Sequence, residues 1–126
     1  MSTAEKSLHI LWLDEVEEHD YPAAESYLRL LYDDSQVTQQ VTQLREAPIG
    51  RFKAKDIFRA SQLSLIGISN SHVDKDRKKI RDGVPLSPLL LVRDPGHGKV
   101  VIADGYHRLC AIYGFTEDAW IRCKIV

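Results

Sequence analysis

An α+β domain is the fold class this sequence predicts, and three observations predict it. Between residues 24 and 44 apolar side chains recur every third or fourth position, the period of a buried helix face. Residues 89–92 and 99–103 instead read as two buried strands, separated by the turn-forming run Arg93-Asp94-Pro95-Gly96-His97-Gly98. After Ala103 the period changes again, and Tyr106, Leu109, Cys110, Ile112 and Tyr113 fall on one helical side. The 126 residues suffice for one domain with a sizeable core, so a single domain over 1–126 is expected.

Composition excludes several classes. The chain is 44% hydrophobic and 28% charged, ordinary for a globular protein. It has no apolar run of membrane-spanning length. Residues 1–13 lack the basic start and cleavage site of a signal peptide, so no membrane partner and a cytoplasmic location are expected. Cys110 and Cys123 sit in no metal-binding spacing, and the five histidines form no HxxxH pair. No metal site is therefore expected, and both cysteines read as buried free thiols. Formal charge is uneven: −7 over residues 1–50 and +6 over 51–126, for a net of −1. A basic half suits an anionic ligand but is too weakly basic to argue for nucleic acid. Equally, the two halves could complement each other within one domain.

In chain order, residues 8–13 read as a first short strand. The acidic run Asp14, Glu15, Glu17, Glu18 and Asp20 reads as a solvated face. Tyr21-Pro22 opens a helix with Ala24, Tyr27, Leu28, Leu31 and Tyr32 on one side. Asp33-Asp34-Ser35 ends it and caps a second helix bearing Val37, Val41 and Leu44, which Pro48 and Gly50 stop. The result is an αα-hairpin. RFKA (51–54) alternates like a strand, KDIFRAS (55–61) reads as a helical turn, and LSLIGIS (63–69) is apolar. Ser61, Ser64 and Ser69 read as turn and cap residues, because no GxSxG elbow or Ser/His/Asp arrangement is present. A polar helix follows Asn70-Ser71-His72, with Val73, Arg77, Ile80 and the stem of Arg81 inward and Gly83 at its C-terminal end. Pro88 must precede the strand Leu89–Val92, whose four adjacent apolar residues indicate burial on both faces. Trp120–Val126 alternates as a last strand.

The joint Asp104-Gly105-Tyr106-His107-Arg108 carries the candidate chemistry. Here a strand turns directly into a helix, whose first amides lack partners and whose N-terminus is electropositive, a setting that binds phosphate. Gly105 permits positive φ and close approach of a ligand to the backbone. Arg108 offers a permanently charged fork, and His107 a proton or hydrogen bond near neutral pH. The same residues also read as an ordinary capped turn: Asp104 as N-cap, Gly105 as turn residue, Arg108 on the surface.

The stretch KKIRDGVPLSPLLLVRD followed by IADGYHRLCAIYG resembles the ParB/sulfiredoxin superfamily over residues 70–126, and more loosely over 50–69. That pattern is a helix, a Gly, a Pro-led apolar strand, a hairpin, a second strand, and a phosphate-binding turn into a helix. The resemblance implies a small mixed sheet with packed helices. It divides the chain into a superfamily core at 50–126 and an extension, 1–49, made of a strand and the helical hairpin. The extension then either covers the site or makes a dimer contact. Sulfiredoxins carry Gly-Cys-His-Arg at the turn with a catalytic Cys; Tyr106 stands there instead, which argues against that activity. ParB partition proteins carry Gly-Glu-Arg-Arg and bind CTP and DNA, but no helix-turn-helix pattern follows here, so DNA is not an expected partner. Asp104 before the Gly is closest to the ADP-dependent free serine kinases.

The resemblance thus implies a nucleotide or small phosphorylated ligand, ATP, ADP or CTP with magnesium, held by Gly105, Tyr106 and Arg108. Asp104 and His107 are the catalytic candidates for a phosphotransfer or nucleotide hydrolysis. Asn70 and His72, just before the preceding helix, are further ligand-binding candidates, with N-capping as the alternative for Asn70. The competing function is a non-catalytic module gated by the same ligand.

Overall fold

The computed structural model describes residues 9–64 and 70–126. Its elements in chain order are α1 (Asp20–Leu28), α2 (Asp34–Glu46), β1 (Gly50–Lys53), α3 (Ala54–Ser61), α4 (Ser71–Arg81), β2 (Leu89–Asp94), β3 (Lys99–Asp104), α5 (Tyr106–Phe115) and β4 (Trp120–Ile125). The strands form one mixed sheet in the order β1-β4-β2-β3. β1 pairs antiparallel with β4, β2 antiparallel with β3, and β2 parallel with β4. The protein is α+β.

Three layers follow from strand alternation. Leu89, Leu91, Ile102, Ile121 and Cys123 face one way and pack with Ile57 of α3, Val73 and Ile80 of α4, and Leu109 and Ile112 of α5. Leu90, Val92, Val101 and Ala103 face the other way and pack with Tyr21, Ala24 and Leu28 of α1 and Val37, Val41 and Leu44 of α2. Leu89–Val92 are buried throughout because β2 is central and covered on both faces.

The αα-hairpin is therefore one wall of the core. Asp33 caps α2 by accepting from the Gln36 amide, 2.8 Å. Within α1, Ala24 and Leu28 are fully buried but Tyr27 is exposed, as are Leu30 and Leu31 in the turn that follows. The expected inward stripe of α1 is narrower than its apolar content, because the helix rests on the sheet by one side and ends at Leu28. Lys124 of β4 is buried beneath the hairpin, where its Nζ donates to Tyr21 Oη at 3.1 Å and to the Arg45 carbonyl at 2.9 Å.

The first strand reduces to an isolated parallel bridge between Trp12 and Leu86, with residues 7 and 8 outside the described residues. KDIFRAS belongs to two helical turns rather than one. Ser61 behaves as a turn residue: its hydroxyl donates to the Phe58 carbonyl and accepts from the Leu63 amide. Ser69 and most of LSLIGIS lie outside the described residues. Gly83, at φ +70°, closes α4 with Gly83 N–H on the Ile80 carbonyl and Val84 N–H on that of Lys79.

Candidate functional site

Asp104 ends β3, Gly105 adopts φ +105°, and α5 begins at Tyr106. Only glycine fits at 105: a Cβ would lie 2.6 Å from Leu89 Cγ and 2.9 Å from Arg108 Nη2. Among the described residues no side chain caps α5, so its first amides face outward with the positive end of the helix dipole. The capping role open to Asp104 from sequence is not the one it takes. Its Oδ2 instead accepts from Arg108 Nη2 at 3.0 Å.

A second carboxylate completes this pair. Asp20, the first residue of α1, is 3% exposed, and its Oδ2 lies 3.5 Å from Arg108 Nη2. The buried Ser87 hydroxyl donates to Asp20 Oδ2 at 2.6 Å and accepts from the Glu17 amide at 3.0 Å. His19 Nε2 stands 3.3 Å from the other Asp20 oxygen. Burial holds the Asp104 carboxyl above its usual range; Arg108 opposes this and Asp20 adds to it. Arg108 Nε is buried with no hydrogen-bond partner among the described residues.

The turn opens into a cavity of about 350 Å³ whose lining includes Asp104, Gly105, Tyr106, His107 and Arg108, with His72, Lys75, Asp76 and Lys79 of α4 and His19. The His72 and His107 rings lie 4.9 Å apart. Burial, then the neighbouring His72, pulls the His107 pKa below the ordinary histidine value. Burial raises that of Asp76. Cationic side chains from two helices thus converge on one helix N-terminus, a setting suited to a compact anion with phosphate chemistry.

Of the sequence-derived candidates, the structure brings together Asp104, Gly105, Tyr106, His107, Arg108 and His72. Asn70 stands apart: its Oδ1 accepts from the His72 and Val73 amides and caps α4. Tyr106 touches the cavity, donates its hydroxyl to the Ser64 carbonyl, and meets Phe58 edge-on at 6.5 Å. Sequence reasoning missed Asp20, Ser87, Lys75 and Lys79. The two lysines occupy one α4 face at i and i+4, a spacing visible in the sequence, whereas nothing local distinguishes Asp20 from its acidic neighbours. No group of three or more His, Cys, Asp or Glu side chains among the described residues could hold a metal ion. No protein family, curated protein or solved structure matches this chain.

Proposed function

We propose that the Gly105 turn binds the phosphates of a nucleotide or small phosphorylated ligand, and that the protein is a phosphotransferase or nucleotide hydrolase. The observation that carries this reading is the convergence of Lys75, Lys79, Arg108 and the uncapped α5 N-terminus on one cavity. The resemblance of the DGYHR turn to ParB/sulfiredoxin phosphate turns supports it. Phosphate oxygens would take the first α5 amides, with Arg108 and the two lysines of the cavity wall neutralising the charge. Asp104 accepts the proton of the attacking hydroxyl or water as the new phosphorus–oxygen bond forms and the bond to the leaving phosphate breaks. His107 is a hydrogen-bond partner for the ligand. Magnesium accompanying a nucleotide would supply charge neutralisation and is commonly held by one or two carboxylates besides phosphate, a role that would fall to Asp104 on the cavity wall.

A non-catalytic module gated by the same ligand is the second reading, favoured by the engagement of Asp104 with Arg108. Thermal unfolding with ATP, ADP, CTP, GTP and inorganic phosphate, with and without magnesium, tests binding. A ligand at 100 times its dissociation constant adds about 2.7 kcal/mol, a shift of several degrees. Arg108→Lys keeps the charge but loses the planar fork, and should weaken that shift. Absence of any shift rejects the site. Where a ligand binds, Asp104→Asn separates the readings: an enzyme loses roughly 10²–10⁴-fold in turnover, whereas a gated module has no turnover to lose.

A further inference from the structure

At the far end of α5, roughly 15 Å from the turn for a ten-residue helix, the hairpin leaves part of the sheet uncovered. Lys124 is buried under Tyr21 and Arg45, but Trp120 and Arg122, on the same face of β4, are exposed. Directly across the strand pair, Arg51 stands opposite Arg122 and Lys53 opposite Trp120. The Arg51 guanidinium lies 4.6 Å from the centroid of the Trp120 ring, over its face. This end of the sheet forms the floor of an open groove of about 700 Å³, bordered by His9, Trp12 and Thr116 among others.

Two features of the groove are unexplained by the fold. Like charges directly opposed on antiparallel strands are destabilising. Yet neither Arg51 nor Arg122 pairs with a carboxylate among the described residues, while nearby Lys53 and Lys55 both reach Asp118. Arginine and lysine on an edge strand discourage unwanted pairing, which accounts for Arg51 and Lys53. It does not account for Arg122, which lies on the inner strand β4. Arg51, and Lys53 with its Nζ 5.3 Å from the ring centroid, lie against the Trp120 indole, yet the residue stays 48% exposed at the groove.

We propose that this groove binds a nucleotide unit, with phosphate across Arg51 and Arg122 and base against the Trp120 indole. Paired guanidinium forks match phosphate geometry, and an exposed indole stacks any base. The volume is that of a ligand pocket. Among the described residues lining the groove, Arg51 and Arg122 are the two arginines without a carboxylate partner, so one or two phosphates satisfy the site. The unit is either a free mononucleotide or one nucleotide of a single strand. The site shares no residue with the turn cavity.

The chain has two tryptophans, so ¹H–¹⁵N spectra carry two indole signals, assignable with Trp120→Phe. The probes are UMP, the oligoribonucleotide U8, inorganic phosphate and an octaglutamate peptide. Displacement of the Trp120 indole signal by UMP and U8 alike supports a free nucleotide as the natural ligand; displacement by U8 alone supports a strand. For U8 contacting both arginines, log affinity against log salt should have a slope of about −1.4, halving in Arg122→Gln. The response should persist in Arg108→Lys, separating this site from the turn. The proposal is overturned if neither nucleotide probe moves the signal, if octaglutamate or phosphate moves it as strongly, or if Arg51→Gln with Arg122→Gln leaves the response intact.

Discussion

Asp20 Oδ2 lies 3.5 Å from Arg108 Nη2, joining the first turn of α1 to the first turn of α5. One guanidinium thus stands between two carboxylates, Asp20 and Asp104, neither freely hydrated. Loss of the cation leaves both carboxylates buried without it, which costs more than the pair itself contributes.

Arg108→Ala should therefore destabilise the protein by roughly 3 kcal/mol at neutral pH. The defect should shrink on acidification. Burial and Asp20 already hold Asp104 above its usual range, and without Arg108 the opposing pull disappears, so protonation removes the buried charge sooner. Urea unfolding at pH 7 and pH 4.5 measures this; an equal loss at both would mean that the carboxylates are not the cause.

The His107 pKa is lowered, so between that value and the ordinary 6.5 the unfolded chain binds more protons than the folded one. Stability then rises with pH across that window and is lost as pH falls through it. An anion in the cavity reverses the preference by favouring the imidazolium. Phosphate affinity should thus increase as pH drops below 6.5, and His107→Gln should flatten that dependence in calorimetric titrations.

Gly105→Ala sets a Cβ against Leu89 and forces alanine to φ +105°. A loss of about 1–3 kcal/mol is expected, read as a lowered urea midpoint with unchanged slope. Gly50→Ala is the control, since its Cβ would meet nothing within 4 Å.

The extension at 1–49 should be indispensable. Residues 50–126 alone would expose Leu90, Val92, Val101 and Ala103 along a whole sheet face. That fragment should lack a dispersed amide spectrum. Within the full chain, Leu28→Ala should cost about 2–5 kcal/mol, because Leu28 is fully buried between hairpin and sheet.

The strands at 89–94 and 99–104, and the turn into α5, were legible because their signals are local: apolar runs, Pro88 at an entry, a glycine at a forced φ. The α2 face was equally plain, since Val37, Val41 and Leu44 have no competing apolar side. Tyr27 misled because helical period marks a possible face, and tertiary packing decides which part of it is used; Leu31 misled because the helix ends at Leu28. The site was half legible. Asp104, His107 and Arg108 lie within five residues, but Asp20 reaches Arg108, and Ser87 reaches Asp20, only through packing of α1 on the sheet, and no spacing rule encodes that. A short strand at 8–13 failed because Leu13 donates to Leu86 and Leu86 to Leu11, a single bridge without a continuing ladder.

The strand order has a kinetic corollary. β4 lies between β1 and β2, yet it is made after both, so until residues 120–125 exist β1 has no strand neighbour and β2 has only β3. Only the β2–β3 ribbon and the α1–α2 hairpin can form early from nearby segments. Assembly then waits on long-range closure, which places folding toward the slower millisecond-to-second regime rather than that of helical bundles. During synthesis the nascent chain carries apolar strands awaiting a partner, an interval in which chaperone capture competes with productive closure.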